Sequence, residues 1–347
     1  MTMKGQRAKG RGQREGRGLK VRRRSLCLSL LFLPFALCPL PFALSCSSAP
    51  QPRFLSIGTG GTGGVYYPYG GALARLISEK VPNTQVTAEV TGASADNLKL
   101  LQLGKVDLAF TLADTLSEAV KGAGAFKETG AVGSARTIAV LYTNYTHVVA
   151  RAGLGIRTVA DLKGRTISVG SPGSGTELIA DRVLAAAGLD PRKDITRHAL
   201  GVAESVGAMK DGKVDAFFWS GGVPTPSVQD LAATPGTAMM LVRHDDLLPV
   251  LQQKYGPELY SLAVIPGGTY RGADSDTGTI GVRNLLVASS QLDDAIVEQI
   301  TRVLFENKEA LMAAHPEARH LTPPPAFDEV PAPYHPGALK YFTSRRP

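Results

Sequence analysis

A glycine-rich stretch at residues 58–64 has the residue types needed to bind an anion. It contains five glycines and two threonines, Thr59 and Thr62, and it follows an apolar segment at 54–57. A helical pattern begins near Ala72, so the stretch should be a loop that joins a strand to a helix. Glycine lets backbone N–H groups approach a ligand closely, and a helix N-terminus adds partial positive charge. We therefore expect this loop to hold a small organic acid.

Two other interpretations of the same loop remain open. Gly58, Gly60 and Gly63 satisfy the G-x-G-x-x-G pattern of dinucleotide-binding folds, and Glu89 lies at the end of a second predicted strand. In that case the protein would be a nicotinamide-dependent oxidoreductase. A glycine-rich turn that binds no ligand also fits the pattern.

The first 24 residues form a segment of strong positive charge. They contain ten Lys or Arg side chains and one acid, Glu15, whereas the whole chain has a net charge of +8. The remainder is close to neutral, so charge does not favour a nucleic-acid partner. An apolar run interrupted by three prolines follows at 26–44, which is typical of an export signal rather than a membrane span. We expect an exported, periplasmic protein.

The three cysteines, Cys27, Cys38 and Cys46, all lie in or just after this apolar run. The rest of the chain therefore has no disulfide framework and no thiol nucleophile. Residues 43–46 resemble a bacterial lipobox, with Ala43 where leucine is usual, which predicts a leader at 1–46 and lipidation at Cys46. Two arginines at 23–24 leave both the general and the twin-arginine export routes open.

A strand–loop–helix plan occurs twice in the body of the chain. Residues 166–169 suit a strand, 170–176 form a glycine- and serine-rich loop, and 177–187 suit a helix, as at 54–77. The sequence Gly-Lys-Val-Asp precedes a strand at both 104–107 and 212–215. Two α/β lobes with similar loops indicate a cleft that closes on a ligand from both sides.

Further strands are predicted at 85–90, 108–112, 137–142, 147–150, 216–219, 260–265 and 279–288. A helix should open at 94–97, a long amphipathic helix should run from about Asp293 through Leu311, and a short one should cover 337–342. The strand at 279–288 should return to the first lobe. This gives lobe boundaries of 53–143 plus 286–347 for the first lobe and 144–285 for the second.

The sequence offers no familiar catalytic motif. Its six histidines are scattered, without an H-E-x-x-H sequence or a cysteine cluster for a metal. Ser171 and Ser174 do not complete G-x-S-x-G, because Val169 and Pro172 occupy glycine positions. We expect no enzymatic activity, no metal and no cofactor.

In its glycine loops and in several other segments the chain resembles the TAXI class of solute-binding subunits of tripartite ATP-independent periplasmic (TRAP) transporters. The segments that carry the resemblance are 57–64 with 66–68, 141–142, 161–164, 173–176, 211–217, 265–270 and 335–338. The resemblance implies an α/β, two-lobed periplasmic-binding-protein fold of type II, with the ligand cleft between lobes joined by hinge strands. It also implies a monomer that delivers a glutamate-, glutamine- or dicarboxylate-like solute to a TRAP permease. A periplasmic sensor with the same fold is an alternative.

The resemblance further implies that both lobes contact the ligand. The expected contacts from the first lobe are Thr59, Gly60, Thr62, Gly63, Tyr66, Ser94, Asn97 and Asp114. Those from the second lobe are Ser174, Gly175, Thr176, Gly221 and Gly222.

Three residues have alternative roles. Asp114 would bind a ligand ammonium group, which favours an amino acid, or would cap a turn. Arg136 is the candidate for a carboxylate clamp, although it is equally expected to be solvated, in which case N–H groups alone hold the anion. Ser94 fits a helix N-cap as well as a ligand contact.

Overall fold

The computed structural model describes residues 51–324 and 329–345. The predicted leader at 1–46 and the predicted lipidation of Cys46 lie outside the described residues.

Three parallel strands form one end of the sheet. β1 (Arg53–Gly58) lies between β2 (Thr84–Glu89) and β3 (Leu108–Leu112). All five residues of β3 are buried, because a central parallel strand is covered on both faces, which explains its continuous apolar sequence. The strands predicted at 54–57, 85–90 and 108–112 are confirmed.

A second set of parallel strands forms the other end. β5 (Thr166–Ser168) lies between β6 (Thr196–His198) and β7 (Ala216–Gly221). Two further strands of the sheet, β8 (Met239–Leu241) and β9 (Ser261–Ile265), pair with none of these three. The strands predicted at 166–169, 216–219 and 260–265 are confirmed, whereas β6 and β8 are too short to give a periodic signal.

Two long antiparallel strands connect the two ends. β4 (Ala135–Arg151) and β10 (Thr277–Ser289) pair with each other, and β10 also pairs with β3 while β4 also pairs with β7. The prediction of separate strands at 137–142 and 147–150 is wrong. Tyr145 lies opposite Gly281 of β10 on one side and Gly221 of β7 on the other, so backbone pairing continues through the intervening residues. The return of the 279–288 strand to the first strands is confirmed.

The ten strands of the described chain form one mixed sheet in the order β2-β1-β3-β10-β4-β7-β5-β6, with β8 beside β4 and β9 beside β10. Its helices are α1 (Tyr66–Lys80), α2 (Ser94–Gln102), α3 (Ala113–Lys121), α4 (Gly175–Ala186), α5 (Val202–Lys210), α6 (Pro226–Ala233), α7 (Leu248–Tyr255), α8 (Asp294–Glu306), α9 (Lys308–Ala314) and α10 (Pro336–Ser344). The helix predicted from Asp293 through Leu311 is therefore two helices.

The interruption between α8 and α9 has a local cause. Asn307 has φ −122° and ψ 33°, outside the helical range. Its side-chain amide donates to Val303 O at 2.8 Å, which satisfies a carbonyl that the ending helix leaves free. The beginning of α8 agrees with the sequence, since Asp293 Oδ1 accepts the N–H groups of Ala295 and Ile296, as an N-cap should.

We call β1–β3 with α1–α3 and α8–α10 lobe 1, and β5–β9 with α4–α7 lobe 2. The predicted boundaries at 143/144 and 285/286 fall inside β4 and β10, and they stay a prediction. No helix among the described residues is both long enough and apolar enough to cross a membrane.

Alternate residues of the connecting strands pack into different hydrophobic clusters. In β10, Leu286 packs with α1, α8 and α10, whereas Leu285 packs with α2, α3 and α4, as the two-residue period of a strand requires. The second of these clusters contains both Leu116 of α3 and Val183 of α4. The apolar core is therefore continuous from lobe 1 to lobe 2 along this face of the sheet.

Candidate functional site

A cavity of about 530 Å³ lies between the two lobes. Its walls come from the loop after β1, the N-terminal regions of α2, α4 and α5, and the ends of β3 and β7. Nine of the predicted contact residues line it, namely Gly60, Thr62, Gly63, Tyr66, Ser94, Ser174, Gly175, Thr176 and Gly221. The other five, which are Thr59, Asn97, Asp114, Arg136 and Gly222, are not in its lining.

The glycine-rich loop contributes backbone donors to this cavity. The N–H group of Thr59 donates to Glu89 O at 3.0 Å, and that of Gly64 donates to Gly61 O at 3.2 Å. Between them, the N–H groups of residues 60–63 donate to no acceptor in the described chain. All four residues line the cavity. Consecutive free backbone donors at the start of a helix suit an anion.

The lobes approach each other closely at two glycines of this site. A Cβ atom at Gly63 would lie 2.6 Å from Ser227 Oγ, and one at Gly175 would lie 2.6 Å from Leu112 Cδ1 and 2.7 Å from Ser94 Oγ. Ser227 also donates a hydrogen bond to Gly63 O at 3.2 Å. A side chain at either glycine would hold the lobes apart, so the structure is in a closed arrangement that depends on glycine.

The start of α2 makes a further contact between the lobes. The N–H groups of Ala95 and Asp96 donate to Gly173 O at 3.0 and 3.1 Å. Ser94 Oγ accepts the last N–H of β3 at 3.2 Å. The N-cap position belongs to Ala93, at φ 78°, so the N-cap interpretation of Ser94 is wrong. This hydroxyl instead fixes α2 to β3 at the cavity wall.

The N-terminus of α4 is partly satisfied by its own side chains. Ser174 Oγ accepts the Glu177 N–H at 3.0 Å, as an N-cap, and Thr176 Oγ1 accepts the Ser220 N–H at 3.1 Å. The N–H groups of Gly175 and Thr176 have no protein acceptor among the described residues. This end of the cavity therefore offers two backbone donors and two hydroxyl groups.

Two predicted contacts support the glycine-rich loop from behind. Thr59 Oγ1 donates to Glu89 O at 2.6 Å. The buried amide of Asn97 donates to the carbonyl oxygens of Gly58, Thr59 and Phe110 at 3.1, 2.7 and 2.8 Å. Thr59 thus ties the loop to β2, Asn97 ties it to β1 and β3, and neither side chain lies in the cavity lining.

Asp114 lies in a buried ion cluster that joins the lobes. Its Oδ1 accepts the Thr115 N–H at 2.6 Å, and its Oδ2 accepts the Tyr260 hydroxyl at 3.0 Å. Arg182 of α4 lies 3.5 Å from Oδ2 and also pairs with Glu118. Burial raises the pKa of Asp114, and the Arg182 guanidinium opposes that rise. The carboxylate already has a cation partner, so the structure does not place it where a ligand ammonium group would be held.

Arg136 and Gly222 also have structural partners. Arg136 lies at the start of β4, and its guanidinium donates to the carbonyl oxygens of Gly133 and Ala135 at 2.8 Å. A Cβ atom at Gly222 would lie 2.4 Å from Glu317 Cγ. The structure thus places neither residue in contact with the cavity.

Several lining residues were not predicted as contacts. They include Tyr142 and Asn144 of β4, the single tryptophan Trp219 of β7, and Glu204 of α5. The sequence gives little indication of them. A polar residue such as Asn144 is recognised as lying inside a strand only when the strand is known to be continuous. Trp219 donates to Thr225 Oγ1 at 2.8 Å, and its ring would contact a Cβ at Gly64 at 2.7 Å.

Among the described residues, those that line the cavity include no Lys, Arg or His, and their one carboxyl group is that of the exposed Glu204. Positive potential at the site therefore comes from backbone donors and helix N-termini. Glu89, the acid of the dinucleotide pattern, accepts a hydrogen bond from Thr87 at 2.8 Å and is not in the lining. No group of three His, Cys, Asp or Glu side chains in the described ranges is placed to hold a metal ion.

Solved structures with similar folds are periplasmic proteins and binding components of importers. One described as a periplasmic transporter has 11% identity and a TM-score of 0.50, covering 85% of this chain and 93% of its own. The aliphatic sulphonate binding protein of Escherichia coli has 18% identity and a TM-score of 0.42, covering 86% and 80%. An ancestral arginine-binding protein has 15% identity and a TM-score of 0.48, covering 77% and 98%. The first similarity is one of fold alone, and it agrees with the predicted α/β fold of two lobes.

The sequence itself matches one family over almost all of the described residues. The match is to the NMT1-like family and covers residues 57–344, from the end of β1 into the last helix. The narrower TAXI class and its TRAP partner stay predictions. The chain belongs to the NMT1-like family.

Proposed function

We propose that the protein is an extracytoplasmic solute receptor that closes on a small organic acid or amino acid. The observation that carries this proposal is the set of free N–H groups at residues 60–63 in the wall of the interlobe cavity. Gly60 is buried, and a buried backbone donor is rarely left without an acceptor, whereas Gly61 and Thr62 are exposed and Gly63 is half-buried, so their N–H groups are accessible to a ligand. A carboxylate at this position would satisfy them without a cationic side chain.

Closure of the lobes supports a binding role rather than catalysis. The contacts between Ser227 and Gly63, and between α2 and Gly173, form only when both lobes meet. A ligand that touches both lobes stabilises the closed arrangement by the difference in its affinity for the open and closed states. We therefore assign no catalytic step to the site.

The proposed partner is a membrane permease of the TRAP class, and the proposed location is the periplasm, with Cys46 as a lipid anchor. Support for the permease comes from the sequence resemblance in both glycine loops. The solved structures with similar folds include binding components of ABC-type importers, so the class of the permease is a separate part of this proposal from the receptor role.

The binding site is tested by a matched pair of substitutions at Gly61. A Cβ atom at Gly61 would meet nothing within 4 Å, so Gly61→Ala should retain both the fold and the N–H donor. Gly61→Pro removes the donor. We expect Gly61→Ala to bind a carboxylate solute as the parent does and Gly61→Pro to bind it on the order of ten- to a hundredfold more weakly, the equivalent of one charge-assisted hydrogen bond.

The assay is a thermal-shift screen of the parent with amino acids, dicarboxylates, sugars and NAD, followed by titration of the two variants. A ligand that binds the native state raises the unfolding midpoint by mass action. A rise with NAD alone would overturn the receptor assignment. Equal affinity of both variants would show that the loop donors do not bind the solute.

A further inference from the structure

One wall of the cavity is polar and deeply buried. We call it the inner wall, and it consists of Tyr66, Ser94, Tyr142, Asn144 and Ser220, which line the cavity with at most 9% of each residue exposed. Their elements are the starts of α1 and α2, the middle of β4 and the end of β7. The inner wall therefore includes a connecting strand as well as both lobes.

Two hydroxyl groups of the inner wall lack partners. In the described part of the chain, the side-chain oxygens of Tyr142 and Ser220 are buried and form no hydrogen bond. A buried polar group without a partner costs about 1–3 kcal/mol. Two such groups in one cavity wall indicate that the bound solute supplies their partners.

The amide of Asn144 is already engaged. Its Nδ2 donates to Ser220 O at 3.3 Å, and its Oδ1 accepts from Asn284 Nδ2 at 2.6 Å. Since a backbone carbonyl oxygen can only accept, this pairing fixes the orientation of the Asn144 amide. The remaining capacity of the inner wall lies in hydroxyl groups, each of which can both donate and accept, and in the second N–H of the Asn144 amide.

The charges behind the inner wall are negative. Burial raises the pKa of Tyr66 and of Tyr142. Hydrogen bonding to Ser94 and Asn284 opposes the rise at Tyr66, whereas the nearby Asp114 carboxyl adds to it. At Tyr142 the Tyr66 hydroxyl and the Glu317 carboxyl both add to the rise. Asp114 is balanced by Arg182. Burial also raises the pKa of Glu317, and the charge of the exposed Arg319 opposes that rise. The ring of His320, 46% exposed, lies 3.7 Å from the Glu317 carboxyl, and burial lowers the pKa of His320.

Glu317 adds to the negative charge near the inner wall. One of its carboxyl oxygens accepts the Val223 N–H at 2.9 Å, and the other forms no hydrogen bond with the described residues. A second carboxylate brought by the solute to the inner wall would therefore lose its water, meet no cation and lie near existing carboxyl groups. Such burial is strongly unfavourable.

We infer that the solute places an uncharged hydrogen-bonding group, an amide or a hydroxyl, against the inner wall and its one carboxylate against residues 60–63. This inference rests on the proposed function and narrows its solute class from acids in general to monocarboxylates with a neutral polar end. An amide satisfies the wall best, because it accepts from one hydroxyl and donates to another.

The test compares acids with their amides of nearly identical size. The probes are glutamine with glutamate, glutaramate with glutarate, and succinamate with succinate, each titrated into the purified protein by calorimetry at pH 7.5. In at least one pair we expect the amide to bind at least tenfold more tightly than the acid. Tighter binding of the acids would overturn the inference and leave the receptor assignment intact. Absence of binding by all six would overturn both the inference and the proposed solute class.

The inner wall is tested separately by removing single hydroxyl groups. Tyr142→Phe should weaken binding of the preferred amide at least fivefold. The matched control is Tyr69→Phe, because the Tyr69 hydroxyl is also buried without a partner but does not line the cavity. Both variants should unfold at or above the parent midpoint without ligand, since each removes an unsatisfied group. Ser220→Ala makes the same test should Tyr142→Phe fail to fold. Unchanged amide affinity in a folded inner-wall variant would refute the inference.

Discussion

Replacing Arg182 by methionine should strongly destabilise the closed, folded protein. Arg182 has 6% of its side chain exposed, and it pairs with Asp114, whose side chain is fully buried, and with Glu118. Its guanidinium also donates to the Tyr260 hydroxyl and lies 4.1 Å from the centre of the Tyr255 ring. Methionine keeps much of the volume but leaves two carboxyl groups without a cation. Breaking a buried pair in this way costs about 3–5 kcal/mol.

The cost should depend on pH in a defined direction. Burial already raises the pKa of Asp114, and loss of the Arg182 charge raises it further. A carboxyl whose pKa is higher in the folded state binds more protons there, so the free energy of unfolding increases as pH falls. The deficit of Arg182→Met relative to the parent should therefore be smaller at pH 5 than at pH 7.5.

The assay is urea unfolding followed by far-UV circular dichroism at both pH values. Arg75→Met is the matched control, because Arg75 pairs with Glu79 on the surface of α1 with 58% of its side chain exposed, and such pairs contribute about 0–1 kcal/mol. A loss below 1 kcal/mol for Arg182→Met, or a deficit that grows as pH falls, would refute the buried ion cluster.

Two further predictions concern the cavity and the interior. Gly175→Asp should weaken solute binding more than tenfold with little change in the unfolding midpoint of the unliganded protein, because its Cβ would clash with Leu112 only in the closed arrangement. The control is Gly207→Asp, since a Cβ at Gly207 would meet nothing within 4 Å. Tight binding by the Gly175 variant in a Trp219 fluorescence titration would contradict the closure geometry. His147 is fully buried, and burial lowers its pKa to about 4, so the unfolded state binds the extra proton below about pH 6.5. Unfolding free energy should fall by about 2 kcal/mol from this group between pH 7 and pH 5, and His147→Gln should reduce that dependence in urea titrations; an unchanged slope would show that another group is responsible.

Much of the fold could be predicted from local sequence. The alternation and apolar runs at β1, β3, β7 and β10 identified these strands to within a few residues, because a buried strand imposes its own pattern. The break at Asn307 and the continuity of β4 could not be predicted. Both features depend on which strands and carbonyl groups lie next to these residues in the folded protein, and one sequence alone does not show which residues are neighbours in space.

Some of the site residues could likewise be predicted from the sequence, and others could not. The glycines at 60, 63 and 175 were recognisable because close backbone approach leaves glycine as the one acceptable residue. Asp114 looked equally suitable for a ligand or a turn, and only the position of Arg182, 68 residues later in the chain and on the other lobe, shows that it has a cation partner. Tyr142 and Asn144 gave no distinct signal, since their role arises from facing the cavity.

The sequence by itself therefore determined the two α/β lobes, the donor-rich loops at the starts of α1 and α4, and the lack of a catalytic motif. These properties follow from periodicity, glycine spacing and residue type, which are local. Tertiary structure alone decided which loops share a cavity, which carboxyl groups are paired, and that the inner wall holds unsatisfied hydroxyl groups without a cation. Burial and electrostatic balance depend on distances across the fold, and residues far apart in the chain set those distances.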